Sequence, residues 1–187
     1  MKTRCQWATL NEHEKHYHDT EWGVPLHDDR LLFEFLILEG AQAGLSWSTV
    51  LAKREGYRKA FDNFEIHSVA EYTEDKIQEL ILNPEIIRNK LKIRSAVTNA
   101  KATLKIIEEF DSLNNYLWKF VNYKPIVNTW NSKNDVPATT HISDSMSKDL
   151  KKRGFKFVGS TICYAFMQAT GMVNDHTIDC FRYKECI

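Results

Sequence analysis

The run Leu31-Leu-Phe-Glu-Phe-Leu-Ile-Leu38 constrains this chain more than any other. It is too long for a typical strand, and Asp28 or Asp29 stands in front of it as a capping side chain. The stretch therefore predicts a buried helix. That helix would deliver one carboxylate, Glu39, straight out of an apolar context. Gly40 and Gly44 then allow a close backbone approach or a sharp bend. Ser46 can cap a second helix that opens at Trp47 and carries Val50, Leu51 and Tyr57. If the chain stays helical instead, Glu39, Gln42, Ala43, Ser46 and Trp47 share a face. Either geometry sets a carboxylate and a large ring beside small residues, which is how a pocket for a flat, positively charged ring is built.

Helical periodicity dominates the remainder, at 29–43, 47–61, 74–82, 88–110, 112–121, 144–153, 159–171 and 174–181. The clearest stripe is Leu91, Ile93, Val97, Ala100, Leu104 and Ile107, with lysines around it. No stretch alternates at period two, so the predicted class is all-α. Residues 5–27 read as irregular and crowded with His, Trp and Tyr, and 122–142, with Pro125 and Pro137, as a long loop. A chain of 187 residues has the length for one domain with a real core. Its 25 basic and 25 acidic residues balance, so a polyanionic partner must be met by local patches. Two stand out: Arg88, Lys90, Lys92 and Arg94, then Lys148, Lys151, Lys152, Arg153 and Lys156. The second ends in Arg153-Gly-Phe-Lys-Phe-Val-Gly159, whose glycines expose backbone donors suited to phosphate. No apolar signal core opens the sequence and no run reaches transmembrane length. With four cysteines besides, the expectation is a reducing, cytoplasmic setting.

Cys5, His18, His176 and Cys180 have the character of zinc ligands. His176 and Cys180 would share a helix face at i, i+4, and a tetrahedral site with Cys5 and His18 would tie the termini together. Spacing alone leaves this open: four unrelated residues are the simpler account, and Cys163 and Cys186 compete as ligands. A site closed by four protein donors is structural, with no position for water. Around His18, Trp7, Tyr17 and Trp22 could stack on a base, although core packing suffices for any one of them. Glu39, between an apolar run and a glycine, needs a cationic or donor partner that a ligand could supply. There is no Ser/His/Asp set, P-loop or dinucleotide fingerprint.

Several long stretches resemble the 3-methyladenine DNA glycosylase I family, a branch of the helix-hairpin-helix glycosylase superfamily. They are Tyr17-His-Asp-Thr-Glu-Trp-Gly-Val-Pro25, Leu38-Glu-Gly-Ala-Gln-Ala-Gly-Leu-Ser-Trp47, Leu117-Trp-Lys-Phe-Val-Asn122, Leu150-Lys-Lys-Arg-Gly-Phe-Lys-Phe-Val-Gly159, Thr161-Ile-Cys-Tyr-Ala-Phe-Met-Gln-Ala169 and Val173-Asn-Asp-His176. They run in order over nearly the whole chain. The resemblance implies one bilobal all-α domain over 1–187, with a helical-hairpin lobe over roughly 47–110 and a structural zinc on Cys5, His18, His176 and Cys180. It further implies a base pocket of Glu39, Tyr17 and Trp47, walled by Trp22 and Trp7, with Glu39 as its catalytic acid. The implied activity is extrusion of cationic 3-methyladenine from duplex DNA and hydrolytic release of the free base without strand cleavage, by a monomer. Gln42 and Leu45 would plug the gap in the duplex, and Arg88, Lys90 and Lys92 would grip the backbone. Two departures accompany it. Glu14 stands where family members often have an aromatic residue, and the stretch Asn83-Pro-Glu-Ile-Ile-Arg-Asn-Lys-Leu-Lys-Ile93 lacks the glycines of a DNA-gripping hairpin. Two other classes remain: a zinc-stapled DNA-binding module without catalysis, and a zinc hydrolase using His18 and His176.

Overall fold

The structure, a computed structural model, describes residues 2–187. Among the described residues ten α-helices carry the fold: α1 (Glu12–Thr20), α2 (Asp29–Gln42), α3 (Trp47–Ala52), α4 (Arg54–Ala60), α5 (Ile66–Ala70), α6 (Glu74–Leu82), α7 (Lys90–Phe110), α8 (Leu113–Trp118), α9 (His141–Lys152) and α10 (Ser160–Ala169). No helix among the described residues is long and apolar enough to cross a membrane.

The predicted buried helix is α2, and it is the axis of the molecule. Leu32 through Ala41 are all buried, so α2 is surrounded rather than amphipathic, as its composition requires. It packs against α3, α7, α8 and α10. Asp28 caps it by accepting the Leu31 amide at 2.9 Å. Asp29 turns outward to do the same for another helix, accepting the amides of Leu113 and Asn114 that open α8. At the far end the helix runs through Gly40, where an added Cβ would lie 3.2 Å from the Phe157 Cβ. The bend comes at Gly44, whose φ of +80° is ordinary only for glycine.

The carbonyls left open at that end are met by Lys92. Its ammonium donates to Ala41 O at 2.8 Å and Ala43 O at 2.6 Å. Burial lowers the Lys92 pKa.

Four readings from sequence change. The helix expected over 47–61 breaks at Lys53 into α3 and α4. Residues 5–27 are more regular than expected, since α1 is capped by Asn11, which accepts the Glu14 amide. No helix covers 174–181. Val173–Asn174 instead forms a short strand paired in parallel with Ile126–Val127, so the chain is mostly helical rather than purely so. The loop 122–142 is fastened by that pairing and by a hydrogen bond from the Ile178 amide to Trp130 O.

Candidate active site and metal cluster

A cavity of about 410 Å³ opens between α1, the end of α2, the start of α3, α10 and the loop around residues 133–137. Tyr17 comes from α1, Glu39 from the last turn of α2, and Trp47 from the first residue of α3. Ser46 holds α3 in place by accepting the Thr49 amide. Trp22 and Trp7 complete the aromatic side, their rings 5.0 Å apart and nearly perpendicular. Tyr17 lies 5.5 Å from Trp47 at 49°. A base between two rings needs about 7 Å, twice the carbon contact distance. Tyr17 and Trp47 are therefore one angled wall, not a pair of jaws.

The polar atoms on this wall have no protein partners. Tyr17 Oη and Trp47 Nε1 are buried without a hydrogen bond. Glu39 is 4 % exposed, and among the described residues its carboxyl group makes no ion pair. Burial alone pushes its pKa up to about 8. Burial also pushes the Tyr17 hydroxyl up, with Glu39 adding to it. Native proteins rarely leave buried groups unsatisfied, and unpaired donors and an unpaired acid on one cavity wall mark a place where a ligand completes the bonding.

Glu14, singled out in the sequence as a departure from the family pattern, is buried and faces the cavity one turn before Tyr17. Other lining residues went unnoticed: Lys133, Val136 and Pro137 bring the loop in as a wall. Asp175 also lines it, fully compensated. It accepts from Asn128 Nδ2, Trp130 Nε1 and Tyr164 Oη at 2.7 Å and from Gln168 Nε2 at 2.8 Å. That carboxylate joins the loop to α10. The only legible hint was its place beside His176.

Next to the cavity, Cys5, His18, His176 and Cys180 converge. Their ligand atoms lie within 4.8 Å of one another, all four residues are buried, and the group could hold a metal ion. Cys180 Sγ is 3.4 Å from His18 Nε2 and 3.6 Å from His176 Nδ1, while Cys5 Sγ is 3.6 Å from the same Nδ1. The outward nitrogens are also used: His18 Nδ1 meets Asp19 at 2.9 Å, and His176 Nε2 meets the Trp22 carbonyl at 3.1 Å. Arg4 in turn holds Asp19. These bonds orient both imidazoles with their bare nitrogens inward. Gly23, at φ +79°, is required here, since a Cβ would lie 2.8 Å from His176 Nε2. The helix that was to align His176 with Cys180 is a turn, with Cys180 donating its amide to Thr177 O. Of the competing cysteines, Cys163 is turned to the Val158 carbonyl and Cys186 lies on the far nitrogen of His176, at 3.7 Å.

The basic candidates separate. Arg88, on the turn before α7, and Lys90, its first residue, are exposed, while Lys92 is committed to α2. Leu45 is 40 % exposed at the bend, with its carbonyl accepting from Gln42 at 3.3 Å. In the second patch Arg153 pairs with Glu109 and Asp149, leaving Lys148, Lys151, Lys152 and Lys156 in solvent.

The methyladenine glycosylase family model matches residues 7–183. DNA-3-methyladenine glycosylase 1 of Escherichia coli K12 is 47 % identical over 180 residues, spanning 96 % of each chain. A crystal structure of 3-methyladenine DNA glycosylase I superposes with a TM-score of 0.93 at 47 % identity, over 96 % of this chain and 98 % of the other. A variant of a 3-methyladenine DNA glycosylase I solved in complex with 3-methyladenine superposes at 0.92 with 36 % identity, over 95 % and 96 %.

Proposed function

The chain belongs to the methyladenine glycosylase family, and from that premise we propose that this glycosylase extrudes 3-methyladenine from alkylated duplex DNA and hydrolyses its glycosidic bond without cutting the strand. One observation carries the proposal: a buried acid with no cation sits in a cavity beside two unpartnered ring donors.

Adenine methylated at N3 keeps a positive charge until its glycosidic bond breaks, so the bond is weak and the base leaves readily. The protein's task is to take the base out of the stack, hold it and admit water. In the empty cavity Glu39 prefers its proton at neutral pH. A cationic base reverses that preference, and the carboxylate then accepts hydrogen bonds from the base edge. A neutral adenine brings no charge to offset loss of that proton, so it forfeits the ion pair that favours the cation. The angled wall of Tyr17 and Trp47 offers ring faces that favour a cation, with Trp22 and Trp7 closing the side. The cavity's one lysine, Lys133, is exposed, which supports hydrolysis without an amine nucleophile.

We further read the helical pairs α6–α7 and α9–α10 as the hairpins of a bilobal helix-hairpin-helix glycosylase acting as a monomer. Arg88, Lys90 and the exposed lysines around Gly154 and Gly159 face the phosphates, and Gln42 and Leu45 enter the gap left by the base. A structural zinc on Cys5, His18, His176 and Cys180 fits the donor set. Tetrahedral zinc with two thiolates and two imidazoles sets its sulfur–nitrogen edges at about 3.6 Å, against 3.4 and 3.6 Å here. Four protein donors leave no position for water, so the ion's contribution is a cross-link between the termini, and thiolate ligands suit a reducing cytoplasm.

The test is release of free bases from methylated duplex DNA by wild type and Glu39→Gln. Release of 3-methyladenine, weakened in the variant, is expected. No release by folded, metal-loaded wild type would leave a DNA-binding module. Chelation is expected to unfold the protein; loss of turnover with the fold intact would instead indicate a metal hydrolase.

A further inference from the structure

Four charged side chains line the cavity, and two of them are acids without a counter-charge among the described residues. Asp175 has four donors, and Lys133 is exposed. Glu39 has no partner. Glu14 is the other: it is 7 % exposed, makes no ion pair among the described residues, and lines the same cavity. Its one side-chain hydrogen bond comes from Asn11 Nδ2 to Oε2 at 2.9 Å, and Oε1 has none. Helical spacing places Glu14 and Tyr17, at i and i+3, on one face of α1, so the acid stands beside the ring wall and its unpartnered hydroxyl.

We propose that Glu14 is a second specificity-determining residue of the base pocket, its free oxygen acting with Glu39 to favour a cationic, amino-bearing base over a neutral one of the same shape. The proposal rests on the glycosylase reading above. Two acids without a counter-charge against one cavity favour an occupant that brings positive charge over a neutral one of the same shape. A cation bearing an exocyclic amine answers both. Asn11 Oδ1 caps α1 by accepting the Glu14 amide, separately from the bond its Nδ2 donates to Oε2, and Oε1 has no protein partner among the described residues.

The test compares wild type, Glu14→Gln and Asn11→Ala on two duplexes. One carries 3-methyladenine and is read as kcat/KM for base release. The other carries 3-deaza-3-methyladenine, a neutral isostere with a stable glycosidic bond, and is read as affinity. For Glu14→Gln the expected result is a loss of about tenfold in kcat/KM, equivalent to 1.4 kcal/mol, with affinity for the neutral isostere unchanged or raised. Asn11→Ala, which removes the cap but keeps the acid, is expected to lower the melting temperature while preserving the wild-type preference between the two duplexes. The proposal is overturned if Glu14→Gln retains the wild-type preference, or if both variants shift the two duplexes in parallel, for then Glu14 serves only the helix cap. A wild type that releases no 3-methyladenine would overturn the glycosylase reading itself, which is a separate outcome.

Discussion

Two glutamates on α2 stand little more than a turn apart, and both are buried, yet the protein treats them in opposite ways. Glu34, fully buried, is surrounded: Arg54 Nε reaches it at 2.7 Å and Arg58 at 2.9 Å, with Arg30 at 3.8 Å. Arg54 goes on to Glu21 at 2.8 Å and lies over the Phe35 ring, so this cluster joins α2 and α4 to the residue that ends α1. Glu39 faces a cavity and has no counter-charge among the described residues. A buried carboxylate held by several cations is a fastening. A buried carboxyl with none raises the energy of the empty protein, and a fold keeps it where a ligand restores the balance.

The contrast is tested first where it is largest. Glu34→Gln removes the buried charge that Arg54 and Arg58 share, leaving Arg54 with Glu21 alone, and is expected to destabilise the fold by about 3 kcal/mol, read as a fall in the urea midpoint, while base release per folded molecule stays near wild type. A mild effect would show that the two acids are not so different. Glu39→Gln is expected to do the reverse. The folded protein raises this acid from 4.5 to about 8, so it binds the proton more tightly than the unfolded chain. The associated stability is full below pH 4.5 and is lost as pH rises toward 8. Glu39→Gln should thus gain on the order of 3 kcal/mol over wild type at pH 7, with little gain at pH 4, even as kcat/KM for base release falls about 100-fold. Equal stability at both pH values would remove the uncompensated-acid account.

A smaller effect concerns pH and binding. Loading a cationic base displaces the Glu39 proton, so affinity for the lesion should rise by up to about tenfold per pH unit and level off near pH 8. A slope that survives in Glu39→Gln would assign it to another group. The smallest effect is at Tyr17. Its hydroxyl is buried without a partner, so Tyr17→Phe should leave stability unchanged or raise it by about 1 kcal/mol and slow base release by less than about tenfold. Calorimetry and single-turnover kinetics would separate the two.

The difference between Glu34 and Glu39 also shows how far a sequence reading reaches. The glycine after Glu39 set apart the acid that faces the cavity, but Glu34 lies deeper in the same apolar run and carried no warning. Of its cations, Arg30 at i−4 is local; Arg54 and Arg58 arrive from another helix. Lys92 illustrates the converse. Among Arg88, Lys90 and Lys92 it looks like one more solvated cation, and only the packing of α7 against α2 commits it to Ala41 and Ala43. The helix missed at 12–20 has a mean composition too polar to advertise a core face, and it forms around the Asn11 cap and the packing of Tyr17 and His18.

By itself the sequence determined what local rules decide. The apolar run read as a buried helix, an aspartate at 28 or 29 and Ser46 as caps, and Glu39 and Trp47 as close neighbours whether the chain bent or stayed helical between them, because caps, period and glycine act within a few residues. The mostly helical class followed from the same short-range logic. Tertiary structure alone decided what depends on distant segments meeting. It set the convergence of Cys5 and His18 with His176 and Cys180 without a helix to align them, the loop at 133–137 as a cavity wall, and Glu14 as an acid facing that cavity. Which buried acid received its cations and which was left for a ligand was decided there as well, because charge compensation is a property of the packed interior and not of the chain.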